Sequence, residues 1–170
     1  MIEIIPNWHP ILVHFTVALI TVAVAFYWLS FIVSSIFVKS PLAQEFEIVG
    51  RWCLWFGAII TIGTVAAGFY AYFTVKHDAP SHLAMIAHRN WALVTATSIV
   101  LIALWSVVRY VHHKKINITF LIVLLIIQGL LLTTAWHGAE LVYRHGLGVM
   151  SMPQVNNKNA GHEHKIEPKH

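Results

Sequence analysis

Hydrophobic positions in this chain gather into four long stretches that contain no Asp, Glu, Lys or Arg: Pro10–Val38, Trp52–Val75, Asn90–Val108 and Ile116–Ala139. A helix needs about 20 apolar residues to cross the hydrocarbon core of a bilayer, so each stretch predicts one span. The pattern predicts an all-α, integral membrane four-helix bundle at 1–149, followed by a His- and Lys-containing tail at 150–170. The first stretch lacks a basic leader and outruns a signal-peptide core, so it is read as a mature span. Pro10 suits the first turn of a helix and Trp8 the membrane interface.

The expected connections are Lys39–Arg51, Lys76–Arg89 and Arg109–Lys115. Short connections make successive helices antiparallel neighbours. Four spans put both termini on one side. Lys39, Arg51, Arg109, Lys114 and Lys115 mark the opposite side as cytoplasmic, against Lys76, Arg89 and Arg144 beside the termini. The termini are therefore expected to be periplasmic in a bacterial inner membrane. In the second span Gly50, Gly57, Thr61, Thr64 and Gly68 fall on one face, which predicts a helix–helix seam; the alternative is room for a flat cofactor. No internal repeat is discerned.

Composition agrees with this picture. Of 170 residues, 58% are hydrophobic and 11% charged, which excludes an ordinary soluble domain. Cys53 is alone, which excludes a disulfide scaffold. The net charge of +4 comes from singly scattered basic residues, so the expected surroundings are a lipid bilayer and no nucleic acid.

Twelve histidines change the picture from fold to chemistry. His9, His14, His77, His82, His88, His137 and His145 all map to the outer ends of the spans or the loops beside them. His14 lies about 6 Å inside its span at 1.5 Å per residue, and Ala18, Thr21 and Ala25 continue a face expected to look inward. His88 continues into Trp91, Ala92 and Thr95, again toward the bundle. His137 and His145 share a broad face if the last helix runs through Tyr143. Ionisable side chains converging near a bilayer mark function. Imidazoles on facing helices suit haem b, so one or two haems are expected on His14, His88, His137 and His145, with His9, Arg89, Arg144 and Trp91 lining the cofactor. Two axial imidazoles close the iron to exchangeable ligands, which predicts electron transfer between a membrane quinone and an outer-face redox protein. The alternative is Zn or Cu on the same four histidines; a proton relay is a third. A homo-oligomer is left open. Covalent haem, zincin and nucleotide-binding patterns are missing, which disfavours those chemistries. Glu140 and Arg144 are expected to pair along a helix, and the Gln128 amide to bond across helices. His162, Glu163, His164 and His170 in the tail are read as incidental.

Two motifs carry a resemblance: Trp8-His9-Pro10-Ile11-Leu12-Val13-His14-Phe15, and Gly138-Ala139-Glu140-Leu141-Val142-Tyr143-Arg144-His145-Gly146-Leu147-Gly148-Val149. Over His9 to Val149 the chain resembles a bacterial family of small four-span membrane proteins known as domain of unknown function 2231. Thr16 and Ala139 replace a Pro and a Gly common in that family. By motif position His9, His14 and His145 carry over, and His88 takes the place of a histidine before the third span. Similar domains are joined to Rieske-type or c-type haem modules, so the resemblance implies electron transfer.

Overall fold

The computed structural model describes residues 7–37, 40–75 and 77–149. Four helices follow one another: α1 (His9–Ile36), α2 (Pro41–Thr74), α3 (Ala79–Val111) and α4 (Ile118–Tyr143). All four are long and apolar enough to cross a membrane. His162, Glu163, His164 and His170 of the tail lie outside the described residues.

Two helices begin well before the uncharged stretches that signalled them. Pro41 sits in the first turn of α2, and the Asp78 side chain accepts from the Ser81 amide to cap α3. Pro41–Arg51 and Ala79–Arg89, expected as connections, are therefore helical, since a charged residue at the interface ends the hydrophobic stretch without ending the helix. At the far end of α3, Lys114 N donates to Arg109 O and His113 N to Tyr110 O, with His113 at φ 51°. This left-handed closure turns the chain into α4 within a few residues.

Each helix packs on its neighbours in chain order, and α4 returns to α1. The two hairpins α1/α2 and α3/α4 are the closer pairs, and they meet one another less tightly. The expected seam of α2 is real. Gly50, Gly57, Thr61 and Thr64 are buried; a Cβ on Gly50 would meet Tyr27 and the Ala23 carbonyl, and one on Gly57 would meet Leu19 and Ile20. Small residues let the two backbones approach, so at Gly50 and Gly57 α1 fills this face in place of a flat cofactor. Outward faces carry Phe15, Ile32, Phe56, Ile62, Leu101 and Ile126, all exposed and suited to lipid.

A repeat emerges that the sequence reading missed. The six buried residues of α1 are Thr16, Ile20, Ala23, Val24, Tyr27 and Ser30. A shift of 79 residues carries them onto Thr95, Ile99, Ile102, Ala103, Ser106 and Arg109, all buried in α3. A shift of 70 carries Gly50, Leu54, Gly57 and Thr61 of α2 onto Phe120, Leu124, Ile127 and Leu131, all buried in α4. The two hairpins thus repeat one register of buried positions, although α1 and α2 pack together more extensively than α3 and α4 do. Equivalent residues also meet, as where Tyr27 Oη and Ser106 Oγ lie 2.9 Å apart. The repeat is hidden in the sequence because volumes are exchanged between the halves. Gly50 accommodates Tyr27 while its counterpart Phe120 packs edge-on to the same ring at 5.1 Å, so registers agree where identities do not.

Candidate functional site

The end of the bundle at which α1 begins and α4 finishes gathers the histidines. His9 stands in the first turn of α1, and its backbone N–H bonds Asn7 Oδ1 at 3.0 Å. Its ring Nδ1 donates to the Thr64 carbonyl of α2 at 3.0 Å. A carbonyl only accepts, so Nδ1 carries the proton and Nε2 presents a lone pair. His88 comes from α3, and its ring centroid lies 6.2 Å from that of His9 at an interplanar angle of 76°. The two rings therefore meet, one from each hairpin, at positions related by the 79-residue shift.

Two glycines make room for them. A Cβ on Gly68 of α2 would stand 3.0 Å from His9 Cε1, and a Cβ on Gly138 of α4 would stand 3.1 Å from His88 Cε1. Gly68 and Gly138 are themselves related by the 70-residue shift. One turn deeper the hairpins repeat a second contact, Thr16 Oγ1 to Thr64 Oγ1 at 2.9 Å and Thr95 Oγ1 to Thr134 Oγ1 at 2.7 Å. All four helices thus build one locus. His88 Nδ1 is buried there beside the Thr134 carbonyl, without a hydrogen bond of good geometry among the described residues.

The other expected site residues lie around this pair. His14 is exposed, its Nδ1 bonded to the Pro10 carbonyl of its own helix, and Ala18 and Ala25 are exposed as well. The inward face expected for His14, Ala18, Thr21 and Ala25 is corrected: α1 buries the side centred on Ile20, and His14 is turned roughly 120° from it at 3.6 residues per turn. Thr21, on the edge of this face, accepts from Gln128 Nε2 of α4 at 3.0 Å, which fulfils the expected cross-helix amide. His88 and Thr95 do point into the bundle, whereas Trp91 is 38% exposed. His137 stacks on Trp91 at 6.0 Å and 19°, and its Nδ1 is 3.6 Å from Glu140 Oε2. Arg144 pairs with Glu140 as expected. Arg89 bonds the Asn90 side chain and lies over Tyr72 at 5.3 Å. α4 stops at Tyr143, and Gly146 at φ 63° turns the chain, so His145 does not continue the helical face of His137.

A second pair lies at the α2–α3 corner, where His77 and His82 stack at 5.1 Å with Nε2 and Nδ1 2.9 Å apart. His77 Nδ1 donates to the Val75 carbonyl, which leaves its Nε2 to accept from His82. Beside them the Ser81 hydroxyl and amide hold the Asp78 carboxyl below its ordinary pKa. Among the described residues no three His, Cys, Asp or Glu side chains converge in a way that can hold a metal ion. Sequence reasoning named His9 and His88 but not their pairing. The usable signal was the shared pattern of His-x6-Thr at His9 and His88 with Thr-x3-Gly at Thr64 and Thr134.

The fold and this locus define a class: a multi-pass, four-span membrane bundle with paired histidines at one end. Residues 6–151 match the model of a family described as predicted membrane proteins, DUF2231, and the chain belongs to that family. No curated protein and no solved structure matches it.

Proposed function

We propose that the chain is a b-type haem protein of the bacterial inner membrane, with His9 and His88 as the axial pair and electron transfer as its activity. The observation that carries this reading is the meeting of two imidazoles from separate hairpins. Imidazole–metal bonds run ~2.0–2.1 Å, so two trans rings on one metal have centroids roughly 6.3 Å apart. The separation of 6.2 Å between His9 and His88 fits that value. The glycines behind both rings also fit rings that are held for a ligand. Two protein ligands suffice for haem, whose macrocycle supplies the rest, whereas Zn or Cu asks for three or four.

Haem supplies one-electron redox chemistry when bound between two imidazoles. The chain's residues do the positioning. Thr64 fixes the His9 tautomer, and Gly68 and Gly138 allow both rings to stand close to the neighbouring backbones. Apolar helices keep water from the axis, and the looser junction between hairpins is where a flat group enters. Arg51, Arg109, Lys114 and Lys115 gather at the opposite end, which supports periplasmic termini by the positive-inside rule. Electrons then pass between a membrane quinone and a redox protein on the outer face.

The test is an absorption spectrum, oxidised and dithionite-reduced, of detergent-purified protein from haem-supplied cells, beside a metal analysis. A Soret and α band is expected in the wild type, lost in His9→Ala and His88→Ala and kept in His14→Ala. Bound Zn or Cu without a chromophore, or neither, overturns the reading.

A further inference from the structure

We infer that the site consists of two equivalent half-sites related by the register repeat, which together hold one haem-type group per chain through Nε2 of both histidines. In each half-site a Thr carbonyl and a Gly act as positioning residues. This deepens the reading above and rests on it.

The His9 half is fully formed. Its ring donates Nδ1–H to the Thr64 carbonyl, rests against Gly68, and leaves Nε2 as the available lone pair. The repeat places the same parts in the other hairpin, where His88 rests against Gly138, and Thr134 stands four residues before Gly138 as Thr64 stands before Gly68. One element differs. His88 Nδ1 makes no hydrogen bond of good geometry, although the Thr134 carbonyl lies beside the ring. The equivalent bond under the repeat is Nδ1–H to that carbonyl, and making it leaves His88 Nε2 as the available lone pair, as in His9. A ring nitrogen that bonds a carbonyl fixes the tautomer and raises the basicity of the other nitrogen, which is the usual outer-sphere device of a metal-ligating histidine.

The same repeat limits the number of groups. Under the shifts of 79 and 70 residues, His14 falls on Leu93, His137 on Ala67 and His145 on Val75. None has a histidine counterpart, so the repeat supplies one pair and one group. His137, Trp91 and Glu140 then belong to the surroundings of the site.

The test uses the full chain in mild detergent. Haemin titration of the wild type should saturate at one per chain with a six-coordinate low-spin spectrum. Gly68→Ala and Gly138→Ala should each weaken binding by about 10–100-fold, the usual effect of disturbing the shell behind a ligand. Gly129→Ala, whose Cβ would have nothing within 4 Å, should not. Should a glycine variant fail to fold, as judged by its circular dichroism melt, His9→Gly and His88→Gly are supplemented with imidazole or with 1-methylimidazole, which has no N–H to give the carbonyl. Imidazole should restore the low-spin spectrum better at both positions. Two haems per chain, a response at only one glycine, or equal rescue by the two bases overturns the inference while leaving the b-type reading standing. A wild type that binds no haem overturns both.

Discussion

The α1/α2 seam makes a prediction whose sign reverses between two glycines of the same chain. A Cβ added at Gly57 would stand 2.7 Å from Ile20 Cδ1 and 3.3 Å from both Ile20 Cγ1 and Leu19 Cβ. Carbon atoms rest at about 3.5–4.0 Å, so the first contact overlaps by nearly 1 Å. Ile20 is fully buried, so its Cδ1 cannot swing free, and the Leu19 Cβ is fixed to its helix. Overpacking of this kind costs about 1–3 kcal/mol, against which replacing a helical glycine returns about 0.5–1 kcal/mol. Gly57→Ala should therefore lose roughly 0.5–2 kcal/mol. At Gly129 nothing lies within 4 Å of the added Cβ, so only the gain remains. For a chain of this size each kcal/mol moves the midpoint by about 2–4 °C. Thermal unfolding in detergent, followed by far-ultraviolet circular dichroism, should show Gly57→Ala melting below the wild type and Gly129→Ala above it. If Gly57→Ala melts with or above Gly129→Ala, α1 does not stand where Ile20 and Leu19 place it, and the close-approach argument for the seam is refuted.

Other expectations follow from single contacts. Thr95→Val removes the bonds to Thr134 Oγ1 and the Leu130 carbonyl, while Thr134 keeps its own bond to that carbonyl. Hydrogen bonds between membrane helices average ~0.6 kcal/mol and reach ~1.7, so a melting decrease of a few degrees is expected, and a double-mutant cycle with Thr134→Ala should recover that coupling. Arg109→Met removes the bonds to Asn117 Oδ1 and the Lys115 carbonyl and the stacking over Phe120 at 4.9 Å. Bonds from a charged group are worth about 1.5–3 kcal/mol, and amides of the α3–α4 turn should exchange hydrogen faster. Asp78 caps α3 with its carboxyl held below the ordinary 3.8 by the Ser81 hydroxyl and amide. A depressed folded pKa means that the cap acts fully above pH 3.8 and is lost as pH falls through the lower folded value. Exchange at the first turn of α3 should accelerate over that acid range in the wild type, and Asp78→Ala should show the fast rate at neutral pH as well.

The amino-acid sequence by itself determined the four spans, because a bilayer tolerates so few charges that their spacing marks each crossing. It also determined the small-residue seam of α2 and the concentration of histidines at one end. Both are one-dimensional properties, set by spacing along a helix and by depth in a membrane. The helix starts at Pro41 and Ala79 were obscured because charged residues at the interface interrupt hydrophobicity without interrupting hydrogen bonding. Only the tertiary structure decided which histidines meet. His14 and His9 are five residues apart on one helix and look equally suitable, yet packing of the Ile20 face against the bundle turns His9 inward and His14 out. The partner of His9 is 79 residues away, and the repeat that relates them is written in buried registers with exchanged side-chain volumes. A core constrains the sum of facing volumes more tightly than either residue alone, so two halves of one plan can pack together after their sequences have ceased to look alike.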